Sequence, residues 1–293
     1  MVLSVCMITY NQENFITQAI ESVLMQRCDF DFELIIGEDN STDTTRKICE
    51  LYQEKYPAII KLLPASENMG MLKNFLRSYK ACNGKYIAFL EGDDYWTDAA
   101  KLQKQVNFLT QNNEYSICFH NVIMKFQRAN ENAEKPFHAN LTKYSFETED
   151  LLKQWFIPSA SVVFVNYPDF VFPDWFVNCK SGDIPFLLLM SLRGKINYIN
   201  EIMSVYRIHD SGISSTHRGY DKIIAMIFIY ENFNSYTNYK FHQRIREAII
   251  YEIEYHLPQT KPVNKEVVVP IKGSLRLFEF ANKIKTKISG SPS

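Results

Sequence analysis

Through the first hundred residues, short apolar runs alternate with stretches in which apolar side chains recur every three or four positions. Residues 3–9, 32–36, 59–63 and 86–90 are near-continuous apolar runs, the pattern of strands buried on both faces. Between them, Phe15, Ile16, Ala19, Ile20, Val23 and Leu24 fall at helical spacing. Ile48, Leu51 and Tyr52 do the same within 44–56, and 72–81 reads as a third helix. Strands alternating with helices predict right-handed βαβ units and a mostly parallel sheet. In such sheets ligands bind outside the carboxyl ends of the strands. Tyr10-Asn11, Glu38-Asp39 and Glu91 to Asp94 all follow strands directly, so chain order alone predicts that these polar tips converge on one crevice.

After a helix over 99–111 the alternation is less regular. Residues 115–126 read as one long strand or a strand pair, 127–139 as a polar loop, 151–156 as a short helix and 161–165 as a strand. A turn over 178–185 leads into an apolar helix, 186–192. Strands follow at 196–199 and 203–208, and His209 stands at the end of the second. From Lys222 the chain is expected to be helical through Tyr236 and again over 241–256. The tail from Pro270 reads as a basic amphipathic helix, with Leu277, Phe278, Ala281 and Ile284 on one face and Lys272, Arg276, Lys283, Lys285 and Lys287 around it. Such a segment either lies on an anionic membrane surface or packs back on the body.

Composition narrows the class. With 46% apolar and 22% charged residues over 293 positions, the chain reads as a soluble globular protein of one large or two small domains. Its net charge of -1 gives no case for nucleic acid as a partner. The six cysteines are scattered, without a CxxC or a Cys/His cluster, which suits free thiols in a reducing compartment. Met1 runs directly into the first strand, so no signal peptide is expected. No apolar run approaches the roughly 18 residues of a membrane span. The expectation is a cytoplasmic protein, with peripheral contact at the inner membrane face if the tail binds lipid.

The candidate chemistry lies at the strand tips. Asp93 and Asp94, with Glu91 beside them, are hard oxygen ligands suited to Mn²⁺ or Mg²⁺, cations that complete their shells with phosphate and water. The competing reading is a polar turn, with Asp98 capping the next helix. No GxGxxG follows the first strand and no GxxxxGK[ST] occurs, so a nucleotide here must be held by side chains and metal. The missing Gly-rich loop also argues against a sugar-nucleotide pyrophosphorylase, and the retained acidic tips argue against an inactive binding protein. Asp183 heads an apolar helix, either as a general base or as its cap. His209 is a candidate metal or diphosphate ligand or a structural hydrogen-bonder. Asn68 and Lys73 reach toward a nucleotide or only open a helix. Tyr95 and Trp96 stack on a sugar or fill the core.

Four signatures carry a resemblance: Ser4-Val-Cys-Met-Ile-Thr-Tyr-Asn11, Glu38-Asp39-Asn-Ser-Thr-Asp43, Gly84-Lys-Tyr-Ile-Ala-Phe-Leu-Glu-Gly-Asp-Asp94 and Gly182-Asp183. In order and spacing the chain resembles family 2 glycosyltransferases over about residues 1–215. The resemblance implies the GT-A fold, a Rossmann-like α/β nucleotide-diphospho-sugar transferase architecture with a mixed central sheet, here with a helical C-terminal extension. It implies a nucleotide-sugar-binding half over 1–98, an acceptor half over 99–215 and a helical region over 216–293. It also implies inverting transfer from a nucleotide-sugar donor, a UDP-sugar by expectation, to a glycan or lipid-linked saccharide. Asp39 would hold the base, with Thr9, Tyr10, Asn11 and Glu13 around base and ribose. Asn68 and Lys73 remain nucleotide candidates, Asp93 would serve diphosphate and metal, Asp94 and His209 would serve metal, and Asp183 would be the catalytic base. Glu91 stands where the family's metal motif usually begins with Asp, so the metal is expected on Asp93 and Asp94.

Overall fold

The computed structural model describes residues 1–128, 131–210, 212 and 219–257. The basic tail expected over 270–288 lies outside these residues. β1 (Leu3–Thr9), β2 (Phe32–Glu38), β3 (Ile60–Leu62) and β4 (Tyr86–Glu91) are the expected apolar runs, and they pair in parallel. The other strands are β5 (Tyr95–Trp96), β6 (Tyr115–Arg128), β7 (Glu131–Pro136), β8 (Ser145–Phe146), β9 (Val163–Val165) and β10 (Lys195–His209). The sheet order is β3-β2-β1-β4-β9-β6-β10-β5, with β7 on β6 and β8 on β10. β9 runs antiparallel between β4 and β6, so the sheet is mixed. The chain winds outward from β1 to β3 and then returns to β1's other side at β4. Thr9 and Glu91 therefore flank the switch point where such sheets bind ligands.

The pleat sends alternate residues into two cores. Cys6, Ile87 and Phe89 face one side of the sheet, whereas Val5, Met7, Ala88 and Leu90 face the other. α1 (Ile16–Leu24), α2 (Thr45–Lys55) and α4 (Lys101–Gln111) lie over the second side, and α1 buries Ile16, Ala19, Ile20 and Val23 there. α3 (Met71–Ala81), α5 (Thr148–Lys153) and α6 (Asp183–Ser191) cover the first. α6 is buried from Ile184 to Ser191, as its apolar sequence requires. Phe75, Phe89, Phe164 and Phe186 pack edge to face around it, with centroids 4.7–5.7 Å apart. α7 (Tyr220–Tyr236) and α8 (His242–His256) add Met226, Ile229, Phe233, Ile245 and Ile249 to that same core.

Two expectations change. Within the polar segment 127–139, Gln127 and Arg128 end β6 and Glu131–Pro136 form its antiparallel partner β7, tied by Lys125 to Glu134 at 3.0 Å. A hairpin wet on both faces has no apolar alternation, so its pattern resembles a loop. The two strands predicted within 195–209 are one, β10, whose pairing with β6 shifts register between Ile199 and Ser204.

Lys101 carries a further physical consequence. Its side chain is fully buried, with Nζ donating to Gln105 Oε1 at 2.8 Å and lying 4.2 Å from the Trp96 ring centroid. Burial lowers its pKa to about 7. The unfolded chain thus binds this proton more tightly, and folding stability gains from this residue as pH rises from 7 towards 10. We expect wild type to gain roughly 1–3 kcal/mol over a Lys101→Met variant between pH 7 and pH 9. Denaturant unfolding of both proteins at each pH measures this, and a difference that stays flat with pH would show that the ammonium keeps its charge inside the fold.

Candidate active site

The tips of β1 and β2 are stitched together by the polar residues between them. Asn11 takes a left-handed φ of 53°, which asparagine tolerates better than most residues. Its N–H donates to Ser41 Oγ at 2.9 Å, and its Oδ1 accepts from Thr42 N at 2.8 Å. Glu13 accepts from Thr44 N at 3.0 Å and Thr44 Oγ1 at 2.6 Å. Both side chains shape this corner from outside the cleft, whereas Thr9 and Tyr10 line it. Glu38 is fully buried, accepting from Ser41 N at 2.6 Å and facing Arg46 at 3.4 Å, a structural role. Asp39 is 2% exposed and does line the cleft. Its two carboxylate oxygens accept the N–H groups of Met69 (3.0 Å) and Gly70 (2.9 Å), fixing the approach to α3. Each oxygen keeps a lone pair for a further donor such as a base N–H. Asn68 lines the cleft beside it, whereas Lys73 is exposed on α3 and is not among the lining residues.

The third tip sits against the first because of Gly92. A Cβ there would lie 2.4 Å from Gln12 Oε1 and 2.5 Å from Thr9 Oγ1, so only glycine lets the end of β4 nest on this loop. Glu91 and Asp93, on either side of it, line the cleft. Burial, then the charges of Asp93 and Asp183, push the Glu91 carboxyl up to about 8. Asp94 points elsewhere. It is 1% exposed, its Oδ1 accepts from Arg207 N at 2.8 Å, and its Oδ2 is buried without a hydrogen-bond partner among the described residues. Burial and the neighbouring Asp93 and Glu91 raise its pKa well above the ordinary range. The pair that faces the cleft is therefore Glu91 and Asp93, in place of the expected Asp93 and Asp94.

β10 holds that pair from below. Arg207 and His209, two residues apart, share one face of the strand. The Arg207 guanidinium donates to the Asp93 carbonyl and to Gln18 Oε1, and lies 4.4 Å from the Tyr95 ring centroid and 5.1 Å from that of Phe15. His209 Nε2 meets Asp93 Oδ2 at 3.0 Å, and its ring centroid is 4.8 Å from that of Phe15. Arg207 was not singled out in the sequence. The signal available was its alternation with His209 in a strand that ends at the crevice. Tyr95 serves as a platform for Arg207, and Trp96 is core, donating to the Ala160 carbonyl at 3.0 Å.

Asp183 enters from the other half. Gly182 takes the capping position of α6, so Asp183 is the first helical residue and not its cap. Its carboxylate lines the cleft, with Ser159 Oγ 3.4 Å from Oδ2. The cleft encloses about 790 Å³ and brings Thr9, Tyr10, Asp39, Asn68, Asp93 and Asp183 together. Its donors fit a hard divalent cation, since Glu91 and Asp93 face inward together and Glu91 holds its proton in the absence of a counter-charge. Among the described residues no three His, Cys, Asp or Glu side chains form a metal shell by themselves. A basic carboxylate opposite an acidic, metal-competent floor can remove a proton from one molecule while charge builds on another.

The sequence model of "Glycosyl transferase family 2" matches residues 4–167. The chain belongs to this family. An uncharacterized Mycobacterium tuberculosis protein is 34% identical over 218 residues, which cover 72% of this chain and 60% of the relative's length. The match thus leaves about two fifths of that relative unaccounted for. Staphylococcus aureus TarS 1–349 in complex with UDP-GlcNAc superposes with a TM-score of 0.59 at 20% identity, covering 79% of this chain and 66% of that one. The mannosyltransferase PcManGT from Pyrobaculum calidifontis, in complex with GDP-Man and Mn²⁺, superposes with a TM-score of 0.56 at 11% identity, covering 99% and 81%. These likenesses bear out the GT-A fold. In this chain the family match takes in Asp39, Glu91 and Asp93, whereas Asp183, Arg207 and His209 lie beyond it.

The role of Asp39 in holding the cleft's edge is testable. Asp39→Asn replaces one of two backbone acceptors with a donor, which leaves an amide of Met69 or Gly70 unpaired. We expect those two amides to exchange with solvent roughly tenfold faster or more, and UDP to bind more weakly. Amide exchange followed by mass spectrometry measures the first and calorimetry the second. Unchanged protection at both amides would show that another contact fixes this turn.

Proposed function

We propose that this glycosyltransferase moves a sugar from a UDP-sugar to a hydroxyl of a glycan or lipid-linked saccharide, with inversion, and that Asp183 is the general base. The observation that carries this reading is the meeting of Asp183 with Glu91 and Asp93 across one cleft. The nucleotide-sugar complexes of TarS and PcManGT, which share the fold, support the donor class.

The base would rest against Thr9, Tyr10, Asn68 and Asp39, with Asp39 accepting its N–H. Glu91 and Asp93 would hold Mn²⁺ or Mg²⁺, and His209 would orient Asp93 or complete the shell. Such a cation, when bound, supplies Lewis-acid stabilisation to a departing diphosphate. Arg207 keeps the Asp93 backbone in place from beneath. Asp183, oriented by Ser159, takes the acceptor hydroxyl's proton as that oxygen attacks the face opposite the leaving group, which inverts the anomeric centre. Residues 1–98 would serve the donor and 99–215 the acceptor, with the helices after 216 closing the acceptor end. A cytoplasmic location follows if the donor is drawn from the cytosolic pool. The basic amphipathic stretch 270–288 would supply peripheral contact with the inner membrane face. Among the described residues no helix is long and apolar enough to cross a membrane.

Asp183→Asn tests the base. The variant keeps the side chain's shape but cannot accept the proton. Transfer should fall by about 10²–10⁴-fold while UDP affinity stays near wild type. A variant that transfers at the wild-type rate would leave Asp183 with a structural role and require another base.

A further inference from the structure

Beyond Asp183, the cleft is lined by side chains unlike those of its acidic floor. Lys180 and Ser181 lie in the turn that leads into α6, and both face the cleft. On another wall, Lys222 in the first turn of α7 and Tyr255 and His256 in the last turn of α8 also line it. Burial raises the Glu252 carboxyl and lowers the His256 imidazole, and the charge of Lys222 acts on both. His256 Nε2 meets Glu252 Oε2 at 3.3 Å. By contrast, His256 Nδ1 and Ser181 Oγ are shielded from solvent and have no hydrogen-bond partner among the described residues. Orphaned polar atoms in a cleft suit a ligand that brings hydroxyl groups to them. Trp155 and Phe137, on the same cleft, offer ring faces of the kind sugars lie against.

The charges say more. Asp39, Glu91, Asp93 and Asp183 already line this cleft. A negatively charged acceptor would be repelled from such a site unless cations met it at the acceptor end. Lys180 and Lys222 line that end and supply such cations, with Glu252 sharing the charge of Lys222. Lys180, Ser181, Lys222 and His256 all lie beyond residue 167, where the family model's match ends.

We infer that this end of the cleft binds an acceptor saccharide carrying an anionic group, a phosphate or a carboxylate. Lys180 and Lys222 are its counter-charges, and Ser181 and His256 pair with its hydroxyls. The inference rests on the proposed transferase reading, in which Asp183 receives the acceptor's proton. Saturation-transfer NMR on the 293-residue chain tests it. Glucose 6-phosphate, glucuronic acid and methyl glucoside are offered at low ionic strength, each with and without saturating UDP and Mg²⁺, which keep the anions off the donor site. Both anionic sugars should receive more saturation than methyl glucoside, in both conditions, and the excess should fade with added salt. Lys180→Gln and Lys222→Gln should each weaken the anionic sugars roughly two- to fivefold and leave methyl glucoside unchanged. Preference for one anionic sugar alone would support the inference and name the charged group. Equal saturation of charged and neutral sugars, or lysine variants that keep the preference, would overturn it. UDP's own signals report the donor site in the same samples, so a failed donor reading shows there, apart from the sugar comparison.

Discussion

Like charges crowded at the end of one buried strand set the terms for the rest of the molecule. Glu91 ends β4 and Asp93 and Asp94 follow it within three residues, and Asp183 faces the cleft from the other half. In a low-dielectric cleft such a group cannot stay ionised without compensation. The fold answers in two ways. Asp94 is drawn inward to the Arg207 N–H, whereas Glu91 and Asp93 are left facing the cleft with Glu91 tending to hold its proton. The parallel pairing of β1 and β4 and the closeness permitted by Gly92 bring this charge beside the Thr9 to Gln12 loop. β10, between β6 and the edge strand β5, carries Arg207 and His209 beneath Asp93.

The parallel half was legible because its strands are apolar without interruption and its helices carry one apolar face. Hence the convergence of Thr9, Tyr10, Asp39 and Asp93 follows from chain order. Which carboxylates face the cleft was not legible. Glu91 and Asp93 alternate across Gly92, and which of the three turns inward depends on Arg207, more than a hundred residues away. Lys101 was hidden although its partners are near in sequence: nothing in the pattern shows that Trp96 and Gln105 enclose it in the core. The β6–β7 hairpin was hidden for another reason: polar on both faces, it lacks the alternation that marks a half-buried strand. Asp183 was found through its position before an apolar helix, but the choice between cap and free carboxylate required seeing Gly182 take the cap.

The two halves of the cleft differ in origin as well as in charge. The side proposed to hold the donor is built from strand tips within the stretch that matches the family. Much of the side proposed for the acceptor comes from later elements, α6, α7 and α8, which share the aromatic core around Phe186.

The central claim is that Glu91 and Asp93, and not Asp94, form the cation-dependent part of the donor site. The most direct test is calorimetry of UDP binding, with Mn²⁺ and with a chelator, for wild type, Glu91→Gln and Asp94→Asn. Asparagine at 94 can still accept the Arg207 N–H, so that variant keeps the local structure. The account predicts that Mn²⁺ strengthens UDP binding to wild type and to Asp94→Asn by roughly tenfold or more, and that Glu91→Gln loses most of this gain. UDP binding to wild type that ignores the metal, or a metal effect lost in Asp94→Asn and kept in Glu91→Gln, would contradict it.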